Sequence, residues 1–378
     1  MKILLTGAHF TPAQAVIEEL SSFSDVEIVY VGRSKTREGD QVRSVESVVF
    51  PQKGVKFYSI IAGRFQTTNS AYFFTSTLKI PIGFIHAFYI LLKEKPDIIL
   101  SFGGYVGLPM VIAGWFLSIP IIIHEQTLVS GLANSISSLF ASKIALAFTE
   151  TAKNFPEKKV VITGNPLRTE ILTPSLSPPK ALKIFFQNAK IENLPILLIV
   201  GGNQGSHLLN KTIEEILDKL LGNFYIVHQT GESKFRDFET LLDIKSKLNY
   251  SKRYFVSKWF DDKVYSHILK NTDIALSRGG INTLCEFAYF GIPTLVVPIP
   301  FLYKNEQLKN AVFFAKFHFV KIIEQKFLHS SKLMQELSLM KKNLNKIKKD
   351  AKDAKRFIAK DGAKKLALEV MILLKNSV

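Results

Sequence analysis

Four short segments place glycine directly after an apolar run: Thr6-Gly7-Ala8-His9, Phe102-Gly103-Gly104-Tyr105, Val200-Gly201-Gly202-Asn203-Gln204-Gly205 and Ser277-Arg278-Gly279-Gly280. Where such a turn ends a parallel strand, the missing side chain lets the backbone approach a ligand. The helix that follows then offers free N–H groups and partial positive charge to a phosphate. One glycine turn alone also serves an ordinary tight strand–helix connection. Four of them point to a phosphate-bearing ligand such as a nucleotide. Neither the dinucleotide fingerprint G-x-G-x-x-G nor the P-loop G-x-x-x-x-G-K-[ST] is present, which argues against a dehydrogenase or an ATPase. No Asp-x-Asp pair occurs either, so a divalent metal ion has no obvious ligands. The helix N-terminus after Gly205, with basic residues nearby, would then have to neutralise a diphosphate. No cofactor is expected. The single cysteine, Cys285, excludes a disulfide framework, and nothing beside it would make it a nucleophile.

Positioning these turns requires strands and helices in alternation. Apolar runs at 2–5, 26–31, 98–101, 121–124, 143–148 and 160–163 read as strands, with helices over 12–21 and 109–117. After the Pro-rich stretch 173–179 the theme restarts. Strands are expected at 196–200, 224–229, 253–256, 274–277 and 294–297, with a helix from Ser206. Alternating strands and helices imply parallel sheets with right-handed crossovers. The expected fold class is therefore α/β, as two Rossmann-like domains over residues 1–168 and 180–350 whose parallel sheets face a central cleft. A chain of 378 residues is also too long for one ordinary core. Beyond Lys341 lie a Lys-rich helical segment and a more apolar helix over 363–374.

The balance of 49 Lys and Arg against 32 Asp and Glu gives a net charge of +17, which favours anionic partners: a nucleotide, a nucleic acid or an anionic membrane surface. A compositional bias that also yields 30 Phe would explain the same excess. No nucleic-acid-binding module is recognisable, so no nucleic acid is expected as a partner. The apolar start breaks at Gly7, too early for a signal peptide, and a cytoplasmic location is expected. The uncharged stretch 98–123 is long enough to span a bilayer, but Gly103-Gly104, Pro109 and Pro120 punctuate it as strand, turn, helix and strand.

The motifs also occur in a familiar order. The glycine segments are interleaved with Ile123-His124-Glu125-Gln126, Thr163-Gly164-Asn165-Pro166-Leu167-Arg168 and His228-Gln229-Thr230-Gly231, and are followed by Glu286, Gly291-Ile292-Pro293, Gln307 and Asn310-Ala311. From Thr6 to about Ala311 the set resembles the UDP-N-acetylglucosamine–N-acetylmuramyl-(pentapeptide) pyrophosphoryl-undecaprenol N-acetylglucosaminyltransferases, the MurG family within glycosyltransferase family 28. The resemblance implies a GT-B fold and inverting hexosyl transfer from UDP-N-acetylglucosamine to lipid I in peptidoglycan synthesis, hence a part in cell shape and division. Residues 1–168 would bind the acceptor and the membrane, residues 180–350 the donor. A helix at about 355–378 would pack back on the first domain.

The resemblance implies roles residue by residue. Asn203, Gln204 and Gly205 would hold the donor diphosphate, with Arg278 and Gly279 on the uridine side and Phe260 near uracil. Glu286 would accept from the ribose hydroxyls, Gln307 and Glu306 would face the sugar, and Arg168 would reach in from the hinge. On the acceptor side, Thr6, Gly7 and His9 would meet the lipid diphosphate, and Tyr105, His124, Glu125 and Gln126 the muramyl sugar, with Gly104 also binding the acceptor. His9 is the first candidate for the base that takes the acceptor proton, and Glu125 the second. The family's first loop is usually Gly-Gly-Thr-Gly-Gly-His, whereas this chain has Leu4-Leu5-Thr6-Gly7-Ala8-His9. Thr127 stands where the family favours Asn, and Asn203 where it favours Ser.

A polyprenyl acceptor stays in the bilayer, so a peripheral enzyme on the cytoplasmic face of the cell membrane is expected. In 80–92, Phe84, Ala87, Phe88 and Leu91 recur at i, i+3, i+4 and i+7, as in an interfacial helix, with Trp115 and Phe116 as further contacts. Two alternatives stay open: a related GT-B glycolipid transferase with another lipid acceptor, and a non-catalytic nucleotide-sugar-binding membrane protein.

Overall fold

The computed structural model describes residues 1–35, 43–63, 73–173, 177–202 and 205–376. They form two compact units, Met1–Arg168 with Ala359–Val378, and Thr169–Ile358.

In the first unit the order is β1 (Lys2–Thr6), α1 (Phe10–Leu20), β2 (Glu27–Gly32), α2 (Val45–Gln52), β3 (Lys56–Ser59), α3 (Phe73–Glu94), β4 (Ile98–Ser101), α4 (Gly104–Phe116), β5 (Ile121–Glu125), α5 (Leu132–Phe140), β6 (Lys143–Leu146) and β7 (Val160–Ile162). The second unit continues with α6 (Thr169–Leu172), α7 (Lys180–Ile191), β8 (Ile196–Val200), α8 (His207–Leu221), β9 (Tyr225–Gln229), α9 (Asp237–Lys245), β10 (Tyr254–Ser257), α10 (Asp262–Asn271), β11 (Ile274–Ser277), α11 (Ile281–Phe290), β12 (Thr294–Val296), α12 (Glu306–Ala315), β13 (Val320–Ile322), α13 (Ser330–Lys342) and α14 (Leu344–Ala354). The last helix, α15 (Gly362–Lys375), belongs to the first unit.

All strand pairs are parallel, in the orders β3-β2-β1-β4-β5-β6-β7 and β10-β9-β8-β11-β12-β13. The central strands read as continuous apolar runs because both of their faces are covered. In the first unit, Ile3, Leu5, Tyr30, Leu100 and Ile122 point into a core with Phe10, Ala13 and Ile17 of α1 and Leu366, Val370 and Leu374 of α15. The alternate residues Leu4, Val29, Ile99 and Ile123 meet Ala87 and Leu91 of α3 and Val106 and Met110 of α4 on the other face. In the second unit, Leu198, Val200 and Val227 pack with Phe185, Ile268 and Phe287. A side-chain cap starts α2, α8, α10 and α13; ahead of α10 the Asp261 carboxylate accepts from Val264 N at 2.9 Å.

Two edge strands, β3 and β13, were not anticipated. They are four and three residues long and half-exposed, so they lack the buried apolar run that marks the centre. Helix α4 begins at Gly104, ahead of the expected start at Pro109, which lies inside the helix. A larger correction concerns α3. Its Ala87 and Leu91 lie 0% and 1% exposed against the sheet, and the exposed apolar residues are instead Ile82, Ile85, Tyr89 and Leu92. Among the described residues no helix is long and apolar enough to cross a membrane.

Candidate functional site

In an open parallel sheet, ligands gather beyond the C-terminal strand ends where the strand order reverses. Here the reversals fall between β1 and β4 and between β8 and β11, and each of these four strands carries a glycine turn. Register pairs Thr6 with Ser101 and Val200 with Ser277, so the turns stand side by side within each unit.

In the first unit, Phe102 N donates to Thr6 O at 2.8 Å, and the Tyr30 hydroxyl donates to Gly7 O at 2.9 Å. Thr6 is fully buried and its hydroxyl has no partner. Gly104 has φ +79°, and a Cβ built on it would lie 2.9 Å from the Ala8 Cβ, so Ala8 closes down the space between the two turns. His9 precedes α1 without a capping side-chain bond. Burial and the positive charge of Arg33 push its imidazole down to about 4, so it is neutral at ordinary pH. His124 is fully buried, packs edge-on against Phe102 at 5.7 Å and has Nε2 3.4 Å from Gly164 O. Burial brings it to about 4 as well. Gln126 is buried beside it in sequence, and Tyr105 is half-buried in the first turn of α4.

Glu125 has its acceptors occupied. Oε1 lies 3.0 Å from Thr127 N and 2.8 Å from Thr127 Oγ1; Oε2 lies 3.0 Å from both Gly131 N and Asn134 Nδ2. Burial raises its pKa, and these donors pull the other way. The carboxylate therefore anchors the loop leading into α5. Thr127 and Asn134 were not singled out as its partners; the Thr in a loop that usually carries Asn was the available signal.

In the second unit, Asn203 and Gln204 lie outside the described residues. Gly205 is described: with φ +73°, a Cβ there would fall 1.8 Å from Thr230 O, so only glycine fits. Next to it Ser206 caps α8. Arg278 is 6% exposed; its Nη2 donates to Gln325 Oε1 at 2.5 Å, while Nε and Nη1 have no partner. Burial lowers it to about 10, still charged at neutral pH. Asn310 Nδ2 donates to Gly279 O at 3.4 Å, and Gln307 Oε1 accepts from Ile299 N at 3.0 Å, so the first part of α12 bears on the β11 turn and its neighbour. Glu286 is buried on α11 rather than on a helix surface. The Phe260 ring sits within the core, stacked on Phe255 at 6.0 Å, while its N–H donates to Gln229 Oε1 at 3.3 Å. Arg168 is buried at the end of the first unit. Among the described residues no three His, Cys, Asp or Glu side chains converge as metal ligands.

The glycosyltransferase family 28 N-terminal domain matches residues 6–146, and the family 28 C-terminal domain matches residues 196–366. A UDP-N-acetylglucosamine–N-acetylmuramyl-(pentapeptide) pyrophosphoryl-undecaprenol N-acetylglucosamine transferase of Treponema denticola is 36% identical over 82% of this chain and 80% of its own length. One of Clostridium botulinum is 30% identical over 91% of this chain and 92% of its own. Among solved structures, Acinetobacter baumannii MurG superposes with a TM-score of 0.69 at 22% identity, covering 98% of this chain and 99% of that one. A UDP-GlcNAc 2-epimerase from Neisseria meningitidis bound to UDP-GlcNAc gives 0.66 at 18% identity, covering 99% and 100%. These superpositions show the GT-B fold, two Rossmann-like units with helices on both faces of parallel sheets. With both domain matches in place over that fold, the chain belongs to glycosyltransferase family 28.

Proposed function

We propose that the chain is an inverting glycosyltransferase that moves N-acetylglucosamine from UDP-N-acetylglucosamine to the 4-hydroxyl of undecaprenyl-diphosphate-N-acetylmuramyl-pentapeptide, turning lipid I into lipid II in peptidoglycan synthesis. The observation that carries this reading is the alignment, across both units, of relatives named for that reaction.

The donor belongs to the second unit. Gly205 and the first turn of α8, with Asn203 and Gln204, take the diphosphate through backbone N–H groups and the helix dipole. Arg278 brings two unpartnered buried donors to the uridine side beside Gly279. Glu286 accepts from the ribose hydroxyls. Gln307, whose Oε1 is held by Ile299 N, offers its amide N–H to the sugar. Phe260 supports the uracil pocket from within the core, and Arg168 is assigned to the donor as well.

The acceptor belongs to the first unit. Thr6, Gly7 and Gly104 meet the lipid diphosphate, and Tyr105, His124 and Gln126 the muramyl sugar. His9, neutral at working pH, takes the proton of the 4-hydroxyl as its oxygen attacks the anomeric carbon and the bond to UDP breaks. Glu125, the alternative base, has both oxygens engaged, so the proton goes to His9. Peripheral attachment at the cytoplasmic membrane face uses the exposed Ile82, Ile85, Tyr89 and Leu92 of α3. Trp115 and Phe116 extend that surface, joined to α3 through Phe88 and Phe116 at 6.2 Å.

Ala8, pressed against Gly104, favours a second reading in which the narrowed pocket serves another lipid acceptor. The test is transfer of labelled N-acetylglucosamine from its UDP donor to a soluble short-chain lipid I analogue, with EDTA present. Product supports the first reading. No product from a protein that still binds the donor transfers the case to the second.

A further inference from the structure

The segment His228-Gln229-Thr230-Gly231 holds an extended buried polar network in the second unit. His228 is fully buried at the end of β9. Its Nδ1 lies 2.9 Å from the Tyr254 hydroxyl and its Nε2 3.0 Å from Asn210 Oδ1. Asn210 stands one turn into α8, and its Nδ2 donates to Thr230 O at 3.0 Å and to Asp237 Oδ2 at 2.9 Å. Asp237 Oδ1 is in turn 2.6 Å from His207 Nδ1, whose ring stacks on Phe235 at 3.9 Å.

The chemistry fixes every direction in this chain. Two acceptors, a carbonyl and a carboxylate, face one end of the Asn210 amide, so the NH2 group must point there and Oδ1 must point at His228. His228 Nε2 therefore carries the hydrogen, and Nδ1 accepts from the Tyr254 hydroxyl. Burial, which pushes His228 down to about 3, keeps it in this neutral tautomer. Its far end is the Thr230 carbonyl, the same atom that leaves no room for a side chain on Gly205. Thr230 N also donates to Ser257 O at 3.0 Å, and Gly231 N to Lys258 O at 3.0 Å, which seat this carbonyl on β10.

We propose that His228 is a positioning residue: through Asn210 and the Thr230 carbonyl it fixes Gly205 against the first turn of α8, and so sets the backbone N–H groups that take the donor diphosphate. The proposal rests on the donor reading given above. It separates diphosphate recognition, which depends on this relay, from uridine recognition around Arg278 and Gly279, which does not.

The test compares the affinities of the full-length protein for UDP and for uridine, by calorimetry, in wild type and three variants. His228→Phe removes both ring bonds; UDP affinity falls by about tenfold, the effect of one or two buried hydrogen bonds, and uridine affinity holds. His228→Gln returns an N–H near the Nε2 position and restores most of the UDP affinity. Tyr254→Phe deletes one hydroxyl and keeps the ring, a milder change that still reports on the relay should His228→Phe fail to fold; UDP affinity falls by about threefold with uridine again unchanged. Amide exchange at Gly205–Leu209 in the ligand-free protein rises in His228→Phe and returns in His228→Gln. Equal losses of UDP and uridine, or no loss of either, would overturn the proposal while wild-type UDP binding leaves the donor reading standing. A wild type that binds no UDP removes the donor reading first, and the proposal with it.

Discussion

Replacing Glu125 with glutamine separates a structural carboxylate from a catalytic one. The amide keeps the shape but offers one oxygen and one NH2 group. The Thr127 hydroxyl, 2.8 Å from Oε1 and 2.6 Å from Val129 O, can donate to that carbonyl and accept from the amide. The NH2 group therefore turns toward Thr127, and the oxygen keeps Gly131 N and Asn134 Nδ2. Only Thr127 N then faces a donor, and the two retained bonds lose their ionic partner. An unsatisfied buried N–H costs about 1–3 kcal/mol and weakened charge assistance adds about 1 kcal/mol, offset in part because no charge has to be buried. The net loss is about 2 kcal/mol, or roughly 4–8 °C in the melting temperature of a unit this size. Transferase turnover falls by less than about tenfold, because the chemistry passes through His9. Melting by circular dichroism and turnover on a soluble lipid I analogue measure the two quantities. An unchanged melting temperature with turnover down by about a thousandfold or more would place the proton on Glu125 and refute the assignment.

Three further outcomes follow from the same geometry. Gly205→Ala forces a methyl onto the Thr230 carbonyl and loses UDP binding by more than about a hundredfold, measured by calorimetry. Because His9 is lowered to about 4 and acts in its neutral form, the acid limb of kcat/KM has its midpoint near 4 rather than at 6.5, and His9→Ala removes activity across the whole range. Burial alone would raise the Glu94 carboxyl, but hydrogen bonds from Lys56, Tyr58 and Lys2 outweigh it and bring it to about 2 from 4.5. A lowered acid stabilises the fold above its unfolded pKa, so this contribution is full above about pH 4.5 and lost toward pH 2. Its ceiling is about 3 kcal/mol, reduced because Lys2 and Lys56 are partly exposed. Glu94→Gln should therefore melt lower at pH 7 and converge with wild type near pH 2.

Much of this molecule is legible in the sequence where burial is uniform. The strands at 98–101, 196–200 and 274–277 coincide with β4, β8 and β11 because runs such as Ile98-Ile99-Leu100 have no polar face to hide their period. The glycine turns were legible for a related reason, since backbone packed this closely against a neighbouring carbonyl or Ala8 excludes other residues. Partner choice was not legible. Nothing in the spacing says that Glu125 is held by residues two, six and nine positions later, or that His228 meets a helix residue eighteen positions earlier. The stripe on α3 failed for a different reason. Apolar residues occur all round that helix, so periodicity alone did not say which face the sheet claims.

One consequence of α15 concerns the order in which the protein is made. The core around Phe10, Ala13 and Ile17 is closed by Leu366, Val370 and Leu374, yet the whole of Thr169–Ile358 is synthesised in between. A ribosome therefore completes the second unit while the first still shows an apolar flank to the cytosol. The first unit closes this core only once α15 has been made. Until then its uncovered face is a natural landing place for a chaperone, and a chain cut short before Gly362 would carry that face permanently.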